Sequence, residues 1–456
     1  MSDKISIKTV IENNFCIGCG SCCYKKNSNM KIDSNLLLTP DKIHFDLESN
    51  NICPIISNVD ESALAIKRHS NIENIKYDEK LGYYLDNFAG YINNDVLREK
   101  SSSGGLTTWI IEKLFEQDLI DGVIHVGKSE DKNNTFEYKI SNNIKELREN
   151  RKSRYYPTHF DLALEKIDSQ KRYAFIGIPC YIKAIRLLME KNPELKNSII
   201  FLIGIFCGHL KSQAFSKILG WQLNIPPDEL IDIDFRVKNK SGAASYYSVE
   251  ASSSTKKKLS LNNKLYGTDW GLGLFKPKAC DWCDDITAET ADIAFGDAWL
   301  PEYINDPLGT NILVVRHPVL LEILKTGKEQ KNITLHKLDK NDIIKSQSGN
   351  YRHRREGIVA RNKFYAHENL WHPQKRIFKE TPPLTKIRYA IYIERYKISQ
   401  SSHEIFKNNL DSGNIFRFLY QMTRQELKYR KLNKQLIKTL VKYVIYNIRI
   451  LKNRIY

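Results

Sequence analysis

No segment of this 456-residue chain is long and apolar enough to cross a bilayer. The longest apolar run, Ile199–Cys207, falls far short of the roughly 20 residues a spanning helix needs, and it reads as a buried strand. Met1–Asn14 is polar without a continuous apolar stretch, so no export leader is read and a cytoplasmic protein is expected. Nine cysteines, an odd number without an export signal, exclude a disulfide scaffold and point to metal ligands in a reducing compartment. There is no internal repeat, and the serine runs at 101–103 and 252–254 are too short to be linkers. No nucleic-acid-binding motif accompanies the net charge of +17, so no nucleic-acid partner is expected.

That charge is unevenly placed. Residues from Arg352 to Tyr456 carry 24 Lys and Arg against 7 Asp and Glu, which is the whole excess, and the preceding 351 residues are neutral. The length implies two or three domains. The expected division is a cluster segment over 1–60, a polar connection to about 85, an α/β domain over 86–351 and a basic helical tail over 352–456. In the α/β part, Thr107–Gln117 has helical spacing, Asp121-Gly122 is a turn, and Val123–Val126 reads as a strand. Tyr173–Ile178, Ile199–Phe206 and Ile312–Val315 read as further strands, with a helix over Tyr181–Glu190. Strands alternating with helices predict a mixed or mainly parallel sheet covered on both faces.

Cys16-Ile17-Gly18-Cys19-Gly20-Ser21-Cys22, with Cys53-Pro54 downstream, has the ligand pattern of a cubane iron–sulfur cluster. Gly18 and Gly20 permit turns with φ > 0 that aim three thiolates and backbone N–H groups at one cluster face. In the two-cluster ferredoxin pattern the Cys-Pro follows after three residues. Here residues 23–52 intervene, which suits one ferredoxin-like [4Fe–4S] site ligated by Cys16, Cys19, Cys22 and Cys53. Zinc and unligated thiols are the other readings, although zinc is expected to take two separated pairs. Cys23, beside Cys22, is read as a bystander.

Cys180 follows Gly177-Ile178-Pro179 where a strand gives way to a helix, and Cys207 ends another strand. In a parallel sheet both emerge at the C-terminal edge, where such folds place ligands. With the pair Cys280/Cys283 they make a second possible cubane site. Buried apolar thiols, a redox dithiol and half of a zinc site are the alternatives. Ser101-Ser102-Ser103-Gly104-Gly105 precedes the Thr107 helix and can cradle a phosphate, with Arg98 or Lys100 adding charge, although plain capping loops look the same. Gly296-Asp297 ends a short apolar strand, and its carboxylate can bond a cofactor or close a turn. In the tail, Leu432, Leu436, Leu440, Val444, Ile448, Leu451 and Ile455 recur at helical steps, with Lys434, Lys438, Lys442, Arg449 and Lys452 largely on another side. An amphipathic helix over 425–456 suits either the protein's own core or peripheral contact with the inner face of an anionic membrane.

Taken in order, these motifs resemble the beta-subunit family of coenzyme F-420 hydrogenase/dehydrogenase. The match runs through Cys16–Cys22 with Cys53-Pro54, Gly90-Tyr91 leading to Arg98 and Ser101–Gly105, and Gly177-Ile178-Pro179-Cys180. Asp234-Phe235-Arg236, and Cys280–Cys283 leading to Ala291-Asp292-Ile293 and Gly296-Asp297, complete it over about residues 11–350. The resemblance implies FAD and one or two [4Fe–4S] clusters, relaying electrons between a hydride carrier and a redox partner protein or substrate. Members include deazaflavin-using hydrogenase subunits and a chlorophyll-derivative reductase, and some are associated with surface-polysaccharide synthesis. It strengthens the second cluster and places the pyrophosphate at Ser101–Gly105, with Pro179, Gly296 and Asp297 beside the flavin. Lys183 and Arg186 become candidates to stabilise reduced flavin, or else a solvated helix surface, and no proton-transferring side chain is singled out. Many relatives carry two C-x2-C-x2-C runs where this chain has one. The alternative is a non-catalytic scaffold that keeps clusters or zinc and joins a membrane-associated assembly through its basic tail.

Overall fold

The computed structural model describes residues 5–42, 47–131, 134–376 and 383–455. Its centre is an eight-stranded mixed sheet. In chain order the strands and helices used below are β1 (Asp86–Ile92), α1 (Leu106–Glu116), β2 (Gly122–Lys128), β3 (Phe136–Ser141), β4 (Tyr173–Gly177), α2 (Pro179–Lys191), β5 (Ile199–Ile205) and α3 (Gln213–Gln222). There follow β6 (Asp232–Val237), β7 (Ser248–Ser252), β8 (Lys257–Leu261), β9 (Ile293–Asp297), β10 (Asn311–Val315) and β11 (Ile333–Leu338). Five helices close the chain: α4 (Ser348–Arg354), α5 (Glu356–His367), α6 (Lys386–Leu410), α7 (Ile415–Leu432) and α8 (Leu436–Ile455).

The sheet order is β11-β1-β10-β9-β5-β4-β2-β3. β9, β5, β4 and β2 run parallel, and antiparallel strands flank them on both sides. Val123–Val126, Tyr173–Ile178, Ile199–Phe206 and Ile312–Val315 therefore fall on real strands, and every residue of β10 is buried, as a continuous apolar run demands. Gly177, Ile205 and Asp297 end parallel neighbours, so the segments that follow them emerge at one edge. A separate antiparallel sheet, β6-β7-β8, packs with α3, and the C-terminal helices cover it.

Three expectations change. Residues 61–85 are not a plain connection but a helix, Glu61–His69, and a hairpin, Lys76–Asp78 with Gly82–Tyr84. Asp60 caps that helix by accepting from the Ala63 N–H at 2.8 Å, and Leu64 and Ala65 bury a face too narrow to stand out by periodicity. The helix expected over 425–456 is two helices, because Lys434 takes a left-handed conformation (φ 55°) that ends α7; Tyr456 lies outside the described residues. The change of charge at Arg352 is not a change of packing. α4 spans it, and Arg354 and Arg361 are fully buried against the body. Farther along, Phe275 of the body stacks on Phe418 of α7 at 6.1 Å, and Trp221 of α3 meets Phe406 of α6 edge-on at 6.2 Å.

The N-terminal segment is docked by aromatic packing. Phe15, fully buried, touches Trp282 and Trp371, each with ring centroids 5.2 Å apart, and lies 6.5 Å from the Tyr365 ring. Tyr181 of α2 donates to the Thr158 carbonyl at 2.6 Å and approaches the Ile17 carbonyl at 3.3 Å. Phe15→Ala is expected to lower stability by about 3–5 kcal/mol, measured by urea unfolding. A loss under about 1 kcal/mol would mean that this contact does not hold the segment in place.

Candidate functional site

Cys16, Cys19, Cys22 and Cys53 line one small enclosed cavity of about 30 Å³, with Gly20, Ser21 and Pro54. Gly18 and Gly20 sit at φ 70° and 87°. A Cβ on Gly20 would come within 2.2 Å of an Asp161 carboxylate oxygen, so both conformation and space require glycine there. Backbone N–H groups converge on the sulfurs. Gly18 donates to Cys16 Sγ at 3.4 Å, the Ser21 amide faces Cys19, and the Ile55 and Ile56 amides face Cys53. Burial nevertheless pushes the Cys19 thiol up to about 12. Cys23 is absent from that lining; its Sγ lies 3.6 Å from Ser28 Oγ and 3.4 Å from Met30 Sδ.

The second set also comes together. Burial raises the Cys180 thiol, and nearby Cys283, Cys207 and Cys280 add to the rise, with Cys19 of the first set close enough to contribute. Cys207 and Cys280 are pushed up by burial to about 11 and about 12. The Leu210 N–H donates to Cys280 Sγ at 3.3 Å. Arg354 donates to Cys283 Sγ and, at 2.5 and 2.8 Å, to the carbonyls of Cys207 and Gly208. Between the paired cysteines, Asp281 is fully buried. Burial alone would raise its pKa, but Lys276 at 2.5 Å and Arg361 outweigh that and hold the carboxyl far below the usual range. Trp282, beside it, meets Phe15, so the two cysteine loops pack against each other. Among the described residues, no group of three or more Cys, His, Asp or Glu side chains is arranged to hold a single metal ion.

Beyond the sheet edge opens a cavity of about 960 Å³. Ser101, Ser102, Ser103, Gly105, Gly296, Asp297 and Cys207 all line it. Gly105, at φ 87°, precedes α1. Ser102 Oγ accepts from the Ser153 N–H at 2.8 Å, and Ser103 Oγ donates to the Thr310 carbonyl at 3.0 Å. Gly104 and Pro179 stand behind the lining. A Cβ on Gly104 would meet the Gly90 carbonyl at 2.6 Å, and Pro179 opens α2. Gly296 is required by packing, since its Cβ would strike the Phe206 ring at 2.4 Å. Asp297 forms a bidentate pair with Arg236 at 2.7 and 3.0 Å, joining two motifs that lie 61 residues apart.

Other cations leave the roles considered for them. Arg98 is buried, stacked 3.7 Å from the Tyr91 ring centroid and bonded to Gly309 and Asp306. Lys183 pairs with Glu61 at 3.4 Å and Arg186 with Asp292 at 3.1 Å, so both are interior ion pairs away from the cavity, not a solvated surface. The charge comes from elsewhere. Arg151, Lys152, Arg154, Lys211, Arg236, Lys276, Arg352, Arg388 and Arg395 line the cavity against one carboxylate, Asp297. Arg352, Arg388 and Arg395 belong to the basic tail, and no local pattern in it signals their return to the sheet edge. Arg388 is neutralised by Glu356, whereas Arg395 Nε is buried without a hydrogen-bond partner. His209 Nε2 and His353 Nδ1, both in the lining, are also buried and unpartnered.

Two family models, both of the coenzyme F420 hydrogenase/dehydrogenase beta subunit, match this chain. The model of its N-terminal part covers residues 87–165, and the model of its C-terminal part covers residues 170–341. Together they span more than half of the chain. The chain belongs to this family of oxidoreductase subunits. It is 22% identical over 330 residues to a subunit of the F(420)H(2) dehydrogenase of Methanosarcina mazei, covering 66% of this chain and 82% of that protein. It is 26% identical over 212 residues to the beta subunit of the F420-dependent formate dehydrogenase of Methanocaldococcus jannaschii, covering 45% and 51%. A chain of the F420-reducing [NiFe] hydrogenase complex from Methanosarcina barkeri superposes with a TM-score of 0.48 at 16% identity, over 64% of this chain and 96% of that one. The inner cysteines, the serine loop and the Arg236–Asp297 pair lie within the family-matched segments. Cys16–Cys53 and the wall built by Arg352, Arg388 and Arg395 lie outside them.

Arg236→Ala strands the Asp297 carboxylate and is expected to cost about 3 kcal/mol in urea unfolding. Arg236→Lys should recover only part of this, because an ammonium cannot reproduce the two-pronged contact. Equal stability of the alanine variant and the parent would mean that water in the cavity replaces the guanidinium.

Proposed function

We propose that the chain is a flavin- and iron–sulfur-dependent oxidoreductase subunit. In this reading Cys16, Cys19, Cys22 and Cys53 hold one [4Fe–4S] cluster, Cys180, Cys207, Cys280 and Cys283 hold a second, and FAD occupies the cavity. The observation that carries it is the juxtaposition: two four-cysteine sets packed together, with Cys207 of the inner set opening onto a large cation-lined cavity. The donor chemistry fits iron–sulfur. Cubane thiolates surround a body and bind different irons, whereas zinc needs four sulfurs about 2.3 Å from one point. The amides aimed at Cys16, Cys19 and Cys53, and Arg354 at Cys283, would stabilise the negative charge of ligated sulfur.

FAD, when bound, would supply hydride exchange with a carrier and single-electron exchange with iron–sulfur centres. Ser101–Ser103 and Gly105 would hold its pyrophosphate, and Gly296 and Asp297 would flank it. Arg236 fixes the Asp297 carboxylate through two hydrogen bonds, so that carboxylate can accept a further hydrogen bond without having to reorganise. The excess of cations draws anionic groups into the cavity and favours a substrate or carrier bearing carboxylate or phosphate. Arg154 and Arg395 are the guanidiniums available to that anion, because both line the cavity and no protein group occupies either Nε. The names of the relatives denote subunits, so the electron partner is read as a second protein or a small hydride carrier.

Anaerobic purification is expected to give a protein with flavin absorbance and about eight irons and eight sulfides per chain, as two cubanes require. Cys53→Ser and Cys283→Ser should each remove roughly half of the iron while sparing the other site. A colourless protein that contains zinc and no flavin would sink the redox reading, and unchanged iron in both variants would refute the ligand sets.

A further inference from the structure

Helix α8 is held along one edge and turns its broadest apolar face outward. Tyr443, Tyr446 and the buried Ile450 pack toward the body, Tyr446 meets Tyr266 with ring centroids 5.7 Å apart, and Asn453 donates to the Gln222 carbonyl at 2.9 Å. About 150° around the helix, Ile437, Leu440, Val441, Val444, Ile448 and Leu451 stand 47–79% exposed. A helix that only docked on its own core would bury these aliphatics and expose the tyrosines. This one does the reverse. Lys438, Lys442, Arg449 and Lys452 line one flank, between the docked edge and the exposed face, and no Asp or Glu follows Glu426 in the chain.

We propose that α8 lies in the surface of a bilayer containing anionic lipids. Its aliphatic face enters the acyl boundary, and its flanking lysines and arginine reach the lipid phosphates. Charge selects this occupant. A second copy of the same helix would bring two acid-free cationic flanks together, whereas an anionic headgroup layer neutralises them. No helix among the described residues is long and apolar enough to cross a membrane, so the contact is peripheral. The contact does not depend on the redox reading, because α8 lies outside the cysteine sets and the cavity lining.

The test is sedimentation of the full-length protein with vesicles of phosphatidylcholine alone and of equal phosphatidylcholine and phosphatidylglycerol. Binding to the anionic vesicles is expected to exceed binding to the neutral ones by about tenfold or more, and to weaken as salt rises. The double substitution Val444→Asp, Ile448→Asp should reduce binding by about tenfold or more at unchanged far-ultraviolet circular dichroism and thermal midpoint, since both side chains are exposed. Lys438→Gln with Lys442→Gln should weaken binding and flatten its salt dependence. Three results would overturn the proposal: no binding to either vesicle, full binding by the aspartate variant, or a concentration-dependent dimer that the aspartate substitutions dissociate. The last would assign the face to a second copy.

Discussion

A fully buried carboxylate must be compensated, and Asp281 sets that requirement at the centre of this molecule. Its charge is compensated by Lys276 just upstream and by Arg361 in a helix 80 residues downstream, and the His353 ring lies 3.4 Å away. Arg361 also donates to the Asp281 carbonyl at 2.9 Å. The loop bearing Cys280 and Cys283 is therefore held in part by the C-terminal helices. Trp282, next in sequence, carries the same constraint to Phe15 and hence to the Cys16–Cys22 loop. One ion cluster and one aromatic stack thus bring together two cysteine sets that would otherwise belong to separate parts of the chain.

The basic tail has two populations of cations with different work. Arg354, Arg361, Lys375 and Arg376 are buried or nearly so, and they neutralise Asp281, Asp284 and Glu289 or bond cysteine backbone and sulfur. Arg352 and Arg395 line the cavity, where they add to the cations that Asp234, Asp281, Asp297 and Glu356 offset only in part. The lysines of α8 do neither and stay at the surface. Net charge alone merges these roles, because it counts cations without saying what they face.

The strands and the first cysteine set were legible because their signals are local. A run such as Asn311–Val315 must be buried on both faces, and Gly18 and Gly20 mark turns that only glycine takes without strain. The helix over Glu61–His69 was missed because its buried stripe is short and its surroundings are polar. The break at Lys434 was missed because its one local signal, the C-cap Asn433, stands inside an otherwise continuous helical pattern, and a lysine does not mark a left-handed position.

By itself, the sequence determined the ordered motifs, the alternation of strands and helices, and the amphipathic pattern of the last helix. Each depends on neighbours within a few residues, whose spacing fixes which way side chains point. Only the tertiary structure decided that Arg236 meets Asp297, that Lys183 and Arg186 serve interior ion pairs, that arginines beyond residue 350 wall the cavity, and which face of α8 is left uncovered. Those outcomes depend on long-range compensation of buried charge and on packing between distant elements, which no local spacing records.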